Sequence, residues 1–192
     1  MNCDITQEQI EFYQENGFVV IEDFLNPDEL EMWRTHVDDA VAKRKDLKLV
    51  TQGKDSRDWK AGDTYYDRVF IQRINLWQDH EGMRELMLDS RIGKMATDLA
   101  QVDGMRIWHD QALIKQPWAN PTGWHLDNPY WSYHNRDALS LWVALDDATL
   151  QNGCLYFVPG AHKITTFDNA NIGENLGDLF EIYPSLADTM PV

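Results

Sequence analysis

The stretch Thr122-Gly123-Trp124-His125-Leu126-Asp127-Asn128-Pro129-Tyr130-Trp131 constrains this chain more than any other. In an extended strand, side chains alternate between faces, so His125 and Asp127 point the same way and can grip one small object between them. A neutral imidazole with a carboxylate suits a divalent transition metal. When three protein groups hold such an ion, other coordination positions stay open for water, substrate and oxygen. Two of those three groups are in this stretch. Alone, the tripeptide is a weak signal, because a solvated Asp beside a His bonded to backbone is the commoner arrangement.

The neighbouring sequence strengthens it. Upstream stands His109-Asp110-Gln111-Ala112-Leu113-Ile114-Lys115-Gln116-Pro117. Downstream come Leu139-Ser140-Leu141-Trp142-Val143-Ala144-Leu145-Asp146-Asp147-Ala148 and then Gln151-Asn152-Gly153-Cys154-Leu155-Tyr156-Phe157-Val158-Pro159-Gly160-Ala161-His162-Lys163. A strand, His-x-Asp, a tryptophan strand ending in acidic residues, an Asn-Gly turn and a Pro-Gly-small-His-Lys corner follow one another. In this order they resemble the phytanoyl-CoA dioxygenase family of iron(II)- and 2-oxoglutarate-dependent oxygenases. Asn16-Gly17-Phe18-Val19-Val20-Ile21 and the helix after Leu25 resemble the family's opening.

The resemblance implies a double-stranded β-helix, the cupin-like jelly roll, behind amino-terminal helices. It implies His125 and Asp127 as two iron(II) ligands. It also implies Gln111 as a contact of the 2-oxoglutarate co-substrate, on one strand face with Lys115, and Trp142 as an aromatic lining the same pocket. Each has an ordinary alternative: a polar strand residue for Gln111, a core aromatic for Trp142, a snorkelling strand-end side chain for Lys115. Related iron halogenases carry a small residue at the carboxylate position, so Asp127 favours hydroxylation or another oxidation. The expected substrates are a small organic molecule, 2-oxoglutarate and dioxygen. From a different class, the alternative is a catalytically silent jelly-roll domain that binds a small molecule with an incomplete metal site.

The family's distal His, and the Arg that pairs with the far carboxylate of 2-oxoglutarate, lie on strands beyond the region corresponding to Met190-Pro191-Val192. The expectation is therefore a single oxygenase domain over residues 1–192, truncated at its carboxyl-terminal end and lacking its last strands. Such a chain would leave strand edges unpaired and turn over poorly. His162 matches a family histidine that is not the third ligand and is expected to hydrogen-bond locally at its turn. His134 lies in a polar loop, and His36, His80 and His109 are expected to be structural or exposed. Trp124, Tyr130, Trp131 and Tyr133 crowd the ligand pair, either as an apolar substrate wall or as barrel packing.

Charge narrows the partners. The chain has 192 residues and a formal charge of −15, and after residue 96 its basic side chains are Arg106, Lys115, Arg136 and Lys163. Nucleic acid, which needs a cationic face, is disfavoured. The opening Met1-Asn2-Cys3-Asp4-Ile5-Thr6 is not a secretory signal, and no apolar run is long enough to span a bilayer. Cys3 and Cys154 are too few for a disulfide framework, so a cytoplasmic setting is expected. Cys154 reads as a small core residue on a strand.

Local signals divide the chain into α+β elements. Thr6-Gln7-Glu8-Gln9 fits a capping box opening a helix to about Glu15, stopped by Asn16-Gly17. Phe18 to Ile21 reads as a buried strand. Asn26, Pro27 and Glu29 open a second helix with Leu30, Trp33, Val37 and Val41 on its core face. Lys43-Arg44-Lys45 reads as a solvated helix end, followed by a surface loop to Asp63. Val69 to Trp77 has the content of a strand, with a helix as the alternative, and Asp89-Ser90 opens a helix ending at Asp103-Gly104. Met105 to Lys115, 139 to 145 and Cys154 to Val158 read as strands, with a turn at Asn152-Gly153.

Overall fold

The computed structural model describes residues 1–44, 51–168, 172–189, 191 and 192. It opens with α1 (Gln7–Asn16) and α2 (Pro27–Lys43), both started by reciprocal capping boxes. In α1 the Gln9 N–H donates to Thr6 Oγ1 at 3.2 Å while the Thr6 N–H donates to Gln9 Oε1 at 2.8 Å. In α2 the Glu29 N–H donates to Asn26 Oδ1 at 2.9 Å, and the Asn26 N–H returns a bond to Glu29 Oε2 at 3.1 Å. Each pair satisfies donors that a bare helix start leaves unmet. Gly17, with φ of 83°, ends α1 in the left-handed region where glycine alone is unstrained.

Three short strands follow: β1 (Thr51–Gln52), β2 (Ile71–Ile74) and β3 (Gln111–Ile114), in the order β1-β2-β3 and antiparallel. The register sets Ile71 opposite Ile114 and Ile74 opposite Gln111. Residues two apart share a face, so Ile71, Arg73, Ala112 and Ile114 look one way while Gln72, Gln111 and Leu113 look the other. Between β2 and β3 lie α3 (Glu81–Met87) and α4 (Ser90–Ala100). Asp89 caps α4 by accepting from Arg91 N–H at 2.8 Å. A left-handed Gln101 stops α4 before Asp103-Gly104.

Trp33 and Ala40 of α2, Leu76, Met83 and Leu86 around α3, and Ala112 of β3 form one core cluster. Val37, Val41, Val143 and Leu145 are among the side chains packed against it. Each large side chain buried there contributes roughly 1.5–3 kcal/mol. The expected helical face of α2 is thus the face that builds the core. Its end is not solvated as expected: Arg44 is buried, its guanidinium bonded to Asp79 Oδ1 at 3.1 Å and to the Ile74 carbonyl at 2.7 Å. A long-range carboxylate, invisible in the local run of cations, draws it in. Lys45 lies outside the described residues.

The sheet is smaller than the expected double-stranded β-helix, and several expected strands are extended chain without a ladder. Residues 18–21 form no strand; Phe18 instead stacks on Phe157 at 4.8 Å and meets Phe12 edge-on, so ring packing covers it. Of residues 105–115 only Gln111–Ile114 pair as a strand: Asn75 N–H still reaches the Asp110 carbonyl, but Asn75 is left-handed, with φ of 58°, and turns the partner chain away there. Residues 139–145 are tied down from the side, Arg34 Nε donating to the Leu145 carbonyl at 2.7 Å while Val143 and Leu145 pack on the core. In residues 154–158 a single rung forms, Phe157 and Val192 exchanging N–H···O bonds of 2.7 and 2.9 Å. Cys154 is therefore half-buried in irregular chain rather than in a strand, although the turn at Gly153, with φ of 96°, stands as expected. Short helices α5 (Ala161–Ile164) and α6 (Asp178–Ile182) complete the described chain.

Candidate metal and co-substrate site

His125 and Asp127 come together, though not through a strand. Asp127 has helical backbone angles, φ −73° and ψ −42°, and stands just before the 3-10 turn Asn128–Tyr130, whose first proline position has Pro129 inside it. Its carbonyl accepts the Tyr130 N–H at 3.0 Å, while its side chain caps nothing and stays available. The turn, not the two-residue period, swings the carboxylate back so that Oδ1 lies 3.2 Å from His125 Nε2.

Both groups are held from behind. His125 Nδ1–H donates to the Gly123 carbonyl at 2.8 Å, which leaves Nε2 as the nitrogen facing Asp127. Such a bond fixes the tautomer of a metal-ligating imidazole. Ser140 Oγ donates to Asp127 Oδ2 at 2.9 Å, which leaves Oδ1 toward the histidine. Gly123 is itself clamped: it is buried, a Cβ there would meet Leu176 Cα at 3.3 Å, and the Trp124 N–H donates to the Leu176 carbonyl at 3.0 Å.

The electrostatics follow from this pairing. The hydrogen bond with His125 holds the Asp127 carboxyl below its usual range, against a desolvation that raises it, with the Ser140 hydroxyl and the nearby His109 helping. Desolvation works against the His125 cation, but its bonds to Asp127 and to the Gly123 carbonyl outweigh it and raise the imidazole above its ordinary value. A proton on Nε2 and a divalent cation would occupy the same space. Two donors about 2.1 Å from one ion and at right angles to each other lie roughly 3 Å apart, so the 3.2 Å gap fits a shared metal. Among the described residues no group of three His, Cys, Asp or Glu side chains converges on one point.

Gln111 is exposed on the open face of β3, its Oε1 accepting from Gln72 Nε2 at 2.7 Å, and its side chain also bonds His109. His109, expected to be structural or exposed, is half-buried near Asp127. Its Nδ1 has no partner among the described residues, and burial lowers its basicity. Trp142 is half-exposed, two residues beyond Ser140 on the same extended segment. Lys115 donates from Nζ to the Asn120 carbonyl, and burial lowers its basicity.

The expected aromatic wall divides in two. Trp131 stacks on Tyr133 at 5.5 Å, and Trp108 packs edge-on against both at 6.3 and 5.8 Å. Trp124 turns away to Tyr156 and Phe180, with centroids at 6.3 and 5.4 Å. Trp108 also meets the His109 ring at 4.1 Å, linking the first cluster to the neighbourhood of Asp127. An open polar cleft of about 310 Å³ is lined by Asp63, Thr64, Tyr65, Arg68, Asn120 and Glu174, and neither His125 nor Asp127 borders it.

The remaining histidines have structural partners. His162 bonds from Nε2 to the Gln14 carbonyl at 3.1 Å, so its contact is long-range rather than local to its turn. With Gly160 N–H on the Asn16 carbonyl at 2.9 Å and Lys163 on Glu15, the Pro-Gly-Ala-His-Lys corner docks onto the end of α1. His134 stacks on Phe167 at 4.7 Å, and His80 Nδ1 accepts the Met83 N–H at the start of α3.

A site of this kind, an imidazole and a carboxylate facing each other, agrees with what comparison with known proteins finds. Over 98% of its length the chain superposes, with a TM-score of 0.72 and 25% identity, on 70% of a non-haem α-ketoglutarate-dependent carbocyclase, SnoK from nogalamycin biosynthesis. The phytanoyl-CoA dioxygenase (PhyH) family model matches residues 13–181. The chain belongs to this family of iron(II)- and 2-oxoglutarate-dependent oxygenases. It is 27% identical over 199 aligned positions to phytanoyl-CoA dioxygenase domain-containing protein 1 of Bos taurus, covering 84% of this chain and 67% of that protein. It is 28% identical over 165 positions to the dioxygenase lolE1 of Epichloe uncinata, covering 83% and 60%. No helix among the described residues is long and apolar enough to cross a membrane.

Proposed function

We propose that this chain carries the His-x-Asp edge of an iron(II)- and 2-oxoglutarate-dependent oxygenase that oxidises, by hydroxylation, a small organic molecule. The observation that carries the reading is the His125 Nε2 to Asp127 Oδ1 gap of 3.2 Å, with the outer atom of each group already committed to Gly123 and Ser140. In this reading the two side chains supply two of the three protein donors of a facial triad. We also take residues 1–192 as one oxygenase domain on the jelly-roll plan, in a reducing cytoplasmic setting.

When bound, iron and 2-oxoglutarate supply the oxidation itself; the protein's part is binding, orientation and exclusion of water. His125 would hold the metal through Nε2 while Nδ1–H stays on the Gly123 carbonyl. Asp127 presents a carboxylate that is already ionised. Gln111 and Trp142 would serve the co-substrate: Gln111 would offer an amide from the open face of β3, and Trp142 an apolar surface two residues beyond Ser140. Trp108, Trp131 and Tyr133 would give the site a partly exposed aromatic flank on the side of His109.

The test is succinate formation with iron(II), 2-oxoglutarate and dioxygen supplied. The reading expects formation that Asp127→Ala abolishes. Metal and small-molecule binding without any succinate would favour the silent binding domain instead. Gln111→Ala, in folded and metal-loaded protein, is expected to weaken 2-oxoglutarate binding; unchanged affinity would remove Gln111 from the pocket.

A further inference from the structure

We infer that Ser140 is a positioning residue of this site: its hydroxyl fixes the rotation of the Asp127 carboxylate so that Oδ1, and not Oδ2, stands beside His125 Nε2. The inference rests on the reading that His125 and Asp127 hold a divalent cation. An ionised carboxylate only accepts hydrogen bonds, so the proton in the 2.9 Å contact is the Ser140 hydroxyl's, directed at Oδ2. Asp127 stands where a helix-capping residue would, yet its carboxylate takes no backbone N–H. Besides His125, the hydrogen bond that orients it comes from Ser140.

The support behind Ser140 is firm. It sits on the extended segment whose far end, Leu145 and Asp146, is bound by Arg34 of α2 through bonds of 2.7 and 2.9 Å. Val143 and Leu145 of the same segment pack against the core cluster. The exposed hydroxyl is thus carried on a segment anchored to the core through Val143 and Leu145, and is presented to a carboxylate on a tight turn. A carboxylate free to rotate would offer a metal either oxygen or both. Held by one oxygen, it offers one.

The experiment is titration with cobalt(II) under anaerobic conditions of the full chain and its Ser140→Ala, Ser140→Thr and Ser132→Ala variants, with circular dichroism showing that each is folded. Ser140→Ala is expected to bind cobalt(II) about 10- to 100-fold more weakly, the usual cost of removing a hydrogen-bond partner of a ligating group. Ser140→Thr, which keeps the hydroxyl, is expected to restore wild-type affinity, and Ser132→Ala, on the exposed loop beyond the turn, to leave it unchanged. Wild-type affinity in Ser140→Ala, or failure of the threonine to rescue, overturns the role of Ser140 alone. No cobalt(II) binding by the wild type overturns the His125–Asp127 reading and this inference with it.

Discussion

Up to Ile114, each α-helix of the described residues starts on a side-chain cap: Thr6, Asn26, His80 and Asp89. Beyond Lys115, α5 and α6 start on Gly160 and Gly177 with no such cap. The same boundary divides the core. The first region buries Trp33, Val69, Leu76, Met83, Leu86, Met95 and Leu99, and the second contributes Val158, Leu179 and Leu186. What holds the second region is its attachment to the first, through Arg34 on Leu145 and Asp146, the 160–163 corner on α1, and Asn120 on Arg68 and Tyr65. The two candidate metal ligands, His125 and Asp127, lie on the attached region, while Gln111 of the candidate co-substrate pocket lies on β3 of the first. A site that must admit ligands sits on the part with fewer interior contacts, where local opening is cheapest.

The strongest way to break this contrast is to empty the first core. Leu76 is fully buried, and Leu76→Ala is expected to cost about 2–5 kcal/mol. Chemical denaturation should then show both regions failing together, because the second has few buried side chains of its own and is held by its attachment to the first. A site region that stays protected in amide exchange while α2 unfolds would show that the dependence runs the other way.

A smaller perturbation cuts the attachment instead. At Gly17 a Cβ would lie 2.4 Å from His162 Nδ1, and φ is +83°. Gly17→Ala is expected to cost about 1–2 kcal/mol in left-handed strain and to push the His162 ring off the Gln14 carbonyl. Amide exchange should accelerate at residues 160–165 and barely change in α3. Smaller still is the loss of one cap: Asn26→Ala should cost about 1 kcal/mol and lower the thermal midpoint without altering exchange at His125.

Acid probes the seam between the regions. Asp63 is held below its usual pKa first by its bond from Lys54 and then by the Lys60 N–H. A carboxyl with a depressed folded pKa stabilises the fold above its unfolded value, about 3.9, and that stability is lost as pH falls through the folded value. Stability measured against pH should therefore drop on the acid side in the wild type, and Asp63→Asn should flatten that drop. Parallel curves would remove Asp63 from the acid response.

The sequence was legible where structure is local. The boxes at Thr6 and Asn26, the cap at Asp89 and the stop at Gly17 each need only a few neighbouring residues, and all four formed. The helix Glu81–Met87 was not foreseen because its cap is His80, a residue outside the usual Ser, Thr, Asp and Asn set. Strand content at 18–21, 139–145 and 154–158 shows which side chains suit a sheet, but a ladder needs a partner backbone that composition does not name. Arg44 was misread for the same reason, since its partner Asp79 is 35 residues away. At the site, residue types identified His125 and Asp127, whereas the turn that joins them and the hydroxyl of Ser140, 13 residues from Asp127, required the fold.

The most direct measurement is iron(II) or cobalt(II) binding by the wild-type chain and by His125→Ala and Asp127→Ala, each verified as folded. If the 3.2 Å gap between Nε2 and Oδ1 is a metal site, the wild type binds one equivalent and both variants lose that binding. Equal affinity in all three proteins would contradict it.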